Sequence, residues 1–353
     1  MKPLVSILIP AYNSQEWIGP CLRSALAQTW EPKEIIVVDD GSKDGTLAAA
    51  RQFEQAGVRV ASQRNQGAAA ARNTAYSLSR GEYIQWLDAD DLISPDKIER
   101  QMAVAQQLGN KRLLLSCGWS QFLHRYKEAK FVPSALWADL TPADWPVRKM
   151  SLNLLMQTGT WLTSRELCEA AGPWDTRMLG DDDGEYFCRV LLASEGVRFV
   201  PEAKVYYRAS GGGSLSYIGT SDRKRNAQWL SMQLHIRYIR SLEESERVHA
   251  ACVTYLQNWM VFFYPERQDV FREAQEIARS LGGEVSAPRL SWKYAWIAKF
   301  FGQDAGWRAQ VLLPRLKWSL LSSLDKFLYN IGGKEPSTLH PVTGPLPNTT
   351  DSR

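Results

Sequence analysis

The chain has 353 residues and a mass of 39.9 kDa, room for two domains at ~150 residues each, or for one catalytic domain with a sizeable appendage. At 44% apolar and 23% charged it sits at the globular average, which excludes wholesale disorder, collagen and a disulfide scaffold. A net charge of +4 and a pI near 8.7 are too mild for nucleic acid to be the main partner.

Cys21, Cys117, Cys168, Cys188 and Cys252 are odd in number, scattered and without a C-x-x-C pair, so buried free thiols in a reducing cytoplasm are expected. His124, His235, His249 and His340 lie far apart, with no zinc-ligand spacing. No run reaches the ~18 apolar residues of a membrane-spanning helix. Lys2 is followed by an apolar stretch from Leu4 to Pro10 that is short, has β-branched Val5, Ile7 and Ile9, and enters Tyr12, Asn13 and Ser14 without a small-residue cleavage site. It reads as a buried strand rather than a signal peptide.

Up to residue 117, apolar runs alternate with helical spacings. Strands are expected at Val5–Ile9, Glu34–Val38, Val58–Ala61, Tyr83–Leu87 and Leu113–Cys117. Asn13 with Glu16 reads as a capping box for a helix carrying Trp17, Ile18, Leu22, Ala25 and Leu26. Ser94 and Pro95 mark another helix start. The expected fold is α/β, a mostly parallel sheet covered by helices on both faces. The pattern beyond is mixed: a strand at Thr160–Thr163, a helix capped by Ser164 and stopped at Gly172, an acidic turn from Gly180 to Gly184, and strands at Val197–Val200 and Lys204–Tyr207. Gly211 to Gly213 read as a break, and beyond Ser221 the chain turns helical.

Ligands of such sheets sit beyond the carboxyl ends of the strands, and there the chain is acidic. Asp39-Asp40-Gly41-Ser42 follows the second strand, and Asp88-Ala89-Asp90-Asp91 the fourth. Two carboxylates one residue apart can share one hard cation such as magnesium or manganese; a solvated turn before the helix at Pro95 is the plainer alternative. The Asp40 turn can accept hydrogen bonds from a base or ribose, or merely lead into the helix after Asp44. In Asp181-Asp182-Asp183, like charges raise the pKa of at least one carboxyl, or serve the N-terminus of the next helix.

The motifs "VSILIPAYN", "IIVVDDGSKDGT", "NQGAAAARN" and "GEYIQWLDADD", continued by "GPWDTRMLGDDDGEYFCRV" and "VYYR", resemble the family 2 glycosyltransferases over roughly residues 3 to 215. The resemblance implies a GT-A fold, Rossmann-like, and an inverting transfer of one sugar from a nucleotide-diphosphate sugar to an acceptor hydroxyl. Pro10 and Tyr12 would flank the base, Asp40 would accept from it, and Arg72 would lie near the donor. Asp90 would bind Mn2+ or Mg2+ together with Asp88, which also meets the sugar or ribose. Asp183, six residues before Arg189, would be the catalytic base, with Asp182 in place of the acidic residue before it. The Q-x-x-R-W motif of processive synthases is missing, which favours a single transfer. Trp174, where the family often has phenylalanine, is expected only to pack.

The expected division is a catalytic domain over 1–215, a helical subdomain over 216–331, and a disordered proline- and threonine-rich tail over 332–353. Residues 291–331 hold nine aromatics, with six basic residues against two acidic. They read either as helices lying on an anionic membrane or as ordinary packing for the sheet. A glycan or lipid-linked acceptor and a cytoplasmic location, peripheral on the inner face of the membrane, fit the first reading. A non-catalytic scaffold binding nucleotide sugars or glycolipids is the rival function. It is disfavoured by complete D-x-D and base positions.

Overall fold

Because both faces of the opening strands are buried, their sequences run continuously apolar instead of alternating with polar residues. Along β1 (Val5–Ala11) and β2 (Lys33–Asp39), Ile7, Ile9, Ile35 and Val37 join one core, and Leu8, Ile36 and Val38 the other. The computed structural model describes residues 1–209 and 221–331. α1 (Ile18–Leu26) and α2 (Thr46–Arg51) follow these two strands. β3 (Val58–Ser62), α3 (Ala68–Leu78), β4 (Tyr83–Trp86), the two-residue β5 (Leu92–Ile93), α4 (Lys97–Leu108) and β6 (Leu113–Phe122) come next. After them come α5 (Asp144–Ser151), β7 (Leu162–Ser164), α6 (Arg165–Ala171), α7 (Asp182–Ala193) and β8 (Gly196–Arg208).

The eight strands form one sheet in the order β3-β2-β1-β4-β7-β6-β8-β5. Pairs β1·β2, β1·β4, β2·β3 and β6·β8 are parallel, whereas β7 and β5 enter antiparallel. The mostly parallel α/β fold expected from the sequence is therefore present.

Several local expectations change. Asn13 caps no helix: α1 starts at Ile18, and Asn13, at φ 48°, instead accepts from the Lys43 N–H at 2.8 Å and donates its own N–H to Ser42 Oγ at 3.0 Å. Two loops meeting at the sheet's end compete successfully for its side chain. α4 begins at Lys97, two residues beyond Pro95, with Ser94 closing a turn onto the Lys97 N–H. The two strands expected at 197–200 and 204–207 are one strand, β8, whose register against β6 shifts between Cys117 and Gly118 where Pro201 to Ala203 bulge out. The Ser164 cap is present: its Oγ accepts from the Leu167 N–H at 3.1 Å. All five cysteines are free and buried.

Beyond residue 221 the described chain is helical: α8 (Asp222–Leu242), α9 (Glu246–Trp259), α10 (Gln268–Ser280), α11 (Trp292–Phe301) and α12 (Gln303–Ile331). α8, α9 and α10 share a core of their own, with Met232, Ile236, Cys252, Leu256 and Ala274 in it and Met150 of α5 joining. Among the described residues no helix is long and apolar enough to cross a membrane. The glycines at 211–213 and the tail from 332 lie outside the described residues.

Candidate active site

Three loops meet at the carboxyl end of the sheet. The first comes after β2. The Asp40 N–H donates to the Ala11 carbonyl at 2.8 Å, and Gly41 then takes φ 68° where a Cβ would stand 2.8 Å from the Asn65 nitrogen. Only glycine avoids both the left-handed strain and that collision. Asp40 is buried. Its Oδ1 accepts from Gln63 Nε2 at 2.8 Å and the Gln66 N–H at 2.9 Å, and its Oδ2 from the Gly67 N–H at 2.8 Å. A carboxylate offers about four acceptor positions, so Asp40 fixes the loop before α3 and keeps capacity for a ligand donor. Pro10 lies within β1 opposite Val38, and Tyr12 stands exposed just past the strand's end.

The second loop comes after β4. The Asp91 N–H closes a turn on the Asp88 carbonyl at 3.1 Å. The fully buried Asp91 carboxylate accepts from the Arg208 N–H at 2.7 Å and from Gln157 Nε2. Burial, then Asp90 and Asp88, push its pKa well above the ordinary value, with the Arg208 hydrogen bond opposing. Arg208 also donates its Nε–H to the Asp90 carbonyl at 2.8 Å, while its guanidinium lies 4.1 Å from the Trp17 ring centre. Asp88 and Asp90 are half-buried.

Arg72 joins this loop to the third. From α3 its buried guanidinium donates to Asp88 Oδ1 at 2.7 Å and, through its other terminal nitrogen, to Asp182 Oδ2. The guanidinium rests 4.4 Å above the Trp174 ring, which stacks on Tyr186 at 4.0 Å. Trp174 therefore packs, as expected, and also forms the shelf for Arg72. Burial works against the charge on Arg72, but Asp182, Asp88 and Asp183 outweigh it and raise its pKa.

Asp183 sits in the first turn of α7. Its Oδ2 accepts from Thr158 Oγ1 at 3.0 Å and its Oδ1 from the Gly184 N–H at 2.9 Å. Burial, then Asp182 and Asp181, push its pKa up to about 7, with Arg72 pulling the other way. Asp181 turns aside: its carboxylate accepts from Ser231 Oγ and, at 3.3 Å, from Gln228 Nε2 of α8. The three acids thus divide, one to α8, one to Arg72 and one to Thr158. Gln66, Gly67, Gly180, Asp182, Arg223 and Lys224 line a cleft of roughly 230 Å³.

Arg72 draws Asp88 and Asp182 together, Asp183 follows Asp182 in the first turn of α7, and Asp40 holds Gln66 and Gly67 of the cleft that Asp182 also lines. Among the described residues no group of three His, Cys, Asp or Glu side chains is placed to hold an ion alone. Asp88 and Asp90 still suit magnesium or manganese, which are bound by one or two carboxylates with phosphate and water oxygens completing the shell. Thr158 and Gln157 escaped the sequence reading, and Asp91 and Arg208 were given no role of their own. Arg208 ends the "VYYR" motif and Asp91 the acidic run, so both carried a signal. Thr158, an isolated hydroxyl in "QTGTW", carried none.

The Glycosyl transferase family 2 model matches residues 6–117. The chain carries a domain of glycosyl transferase family 2. Chondroitin synthase of Escherichia coli is 48% identical over 99 residues, 28% of this chain and 14% of that protein. The glycosyltransferase EpsJ of Bacillus subtilis is 31% identical over 220 residues, 59% of this chain and 62% of that one. The chain therefore spans less than two thirds of the length of these relatives. The crystal structure of S. aureus TarS in complex with UDP-GlcNAc superposes with a TM-score of 0.63 at 19% identity, covering 82% of each chain. The likeness is one of fold, and it carries the GT-A architecture well past residue 117.

Proposed function

We propose that the protein is an inverting glycosyltransferase that moves one sugar from a nucleotide-diphosphate sugar to an acceptor hydroxyl. Residues 1–215 would be the catalytic unit and 216–331 a helical subdomain. The observation that carries this reading is Asp183: a carboxyl brought to about 7, oriented by Thr158 and the Gly184 N–H, beside the Arg72-bridged Asp88. A base is most effective when its pKa lies near the working pH.

In this reading Pro10 and Tyr12 flank the nucleotide base, and Asp40 accepts from it with its remaining acceptor position. Arg72 and Asp88 face the donor's diphosphate and sugar. Asp88 and Asp90 would hold Mn2+ or Mg2+, which supplies Lewis-acid stabilisation of the charge developing on the leaving diphosphate. Asp183 takes the proton of the acceptor hydroxyl as it attacks the anomeric carbon from the opposite side. A single displacement inverts the configuration. The relative named chondroitin synthase supports a polysaccharide or another glycan, lipid-linked or free, as the acceptor.

The deciding experiment is release of nucleoside diphosphate from UDP- and GDP-sugars in the presence of divalent cation and acceptor, with Asp183→Asn beside the wild type. Turnover in the variant is expected to fall by ~10² to 10⁴, the usual worth of a general base, while the donor's thermal stabilisation of the protein stays unchanged. Near-normal turnover in Asp183→Asn refutes the assignment.

A further inference from the structure

The helical hairpin of α11 and α12 leaves an apolar face uncovered. On α12, Leu313, Leu316, Leu320, Leu324, Phe327 and Ile331 are exposed and recur every three or four residues, which places them in one ridge along the helix. The ridge spans about 27 Å at 1.5 Å per residue. On the opposite side, Asp325 accepts from the His124 N–H at 2.9 Å and Arg125 Nε at 2.7 Å, and the Tyr329 ring lies 6.1 Å from that of His124. α12 is therefore pinned to the body by one side while the other faces outward. On α11, Trp292, Trp296 and Phe300 repeat at helical spacing and are 80%, 57% and 74% exposed. Scattered apolar residues are ordinary on a surface, whereas a contiguous patch of this extent marks an interface.

Charge decides the partner. Residues 291–331 carry six basic side chains against two acidic; Asp325 is paired with Arg125 and Lys326 with Glu16. Lys293, Lys299 and Lys317 are exposed beside the apolar residues. A second copy of this chain would bring the same positive charge against itself, whereas an anionic bilayer complements it and accepts leucine and aromatic side chains at the headgroup boundary.

We propose that the α11–α12 hairpin docks the protein on an anionic lipid surface, with the α12 ridge and the α11 aromatics in the interface. The geometry gives this a consequence for the crevice. His124, against which α12 packs, lies 5.6 Å from the Trp17 ring; Trp17 supports Arg208, which holds the Asp90 carbonyl. The docked helix is thus tied through His124, Trp17 and Arg208 to the loop that carries Asp90, and the docking stands whether or not the sugar-transfer reading does.

The test is flotation of the full chain with vesicles of phosphatidylcholine alone or mixed with phosphatidylglycerol, with light scattering for oligomeric state. The protein is expected to float with the anionic vesicles at least ~tenfold more than with neutral ones, and less as salt is raised. The triple variant Leu320→Glu, Leu324→Glu, Phe327→Glu alters only exposed positions. It is expected to keep the wild-type melting temperature and lose flotation. Failure of the wild type to bind anionic vesicles overturns the proposal, as does binding that the triple variant leaves intact. A dimer that the triple variant dissolves, without lipid binding in the wild type, assigns the face to a second copy instead.

Discussion

Asp183 and Arg72 have opposite electrostatic problems with one solution. Burial and two neighbouring aspartates hold the Asp183 carboxyl at about 7, and the Arg72 charge keeps it from rising further. The rate of transfer should therefore show an acid limb near pH 7, with activity lost as the base is protonated; a profile of kcat/KM against pH checks it. Stability takes the other sign. A carboxyl raised from its unfolded value stabilises the fold fully below that value, near 4, and loses this contribution as pH rises through about 7. Asp183→Asn should then melt higher than wild type at pH 8 and not at pH 4. Arg72→Met leaves Asp182 and the partly exposed Asp88 unpaired, which for a buried pair costs about 3 kcal/mol or more. Its denaturant midpoint should drop accordingly, and its acid limb should move above that of wild type.

Among the elements, legibility in the sequence tracked the range of the forces involved. The Ser164 cap was readable because its partner, the Leu167 N–H, lies three residues away. Ser164→Ala should cost about 1 kcal/mol, seen as a lowered denaturant midpoint. The apolar runs of β1 and β2 were readable because period and burial coincide. Asn13 was misread because its partners, Ser42 and Lys43, come from another loop, and local capping rules cannot weigh a distant competitor. β5 was missed because two residues have no period, and it exists only by pairing Leu92 with Tyr206 and Ile93 with Val205. In the site, the acids announced themselves by clustering, and the family motifs ranked them. Arg72's bridge to Asp182 spans 110 residues and is a product of the fold.

For the whole molecule, two of the ties between the helical region and the loops of the sheet are Asp181, at the start of α7, which accepts from Gln228 and Ser231 of α8, and Asp325 of α12, which accepts from His124 and Arg125. The second is testable on its own. Asp325→Ala removes the acceptor of the His124 and Arg125 N–H groups, so hydrogen exchange at those two amides should speed up markedly while the β1 and β2 amides keep their protection. The two-residue β5 carries a different consequence, for biosynthesis. Asp91 waits for the Arg208 N–H, 117 positions downstream, which at 5–20 residues per second takes the ribosome on the order of ten seconds. Until then the Asp88–Asp91 loop has no strand to hold it, although every residue of the matched segment 6–117 has already been translated. The nascent chain therefore carries its acidic loop before it can shape it, and a product that stops short of Arg208 keeps the motif without its geometry.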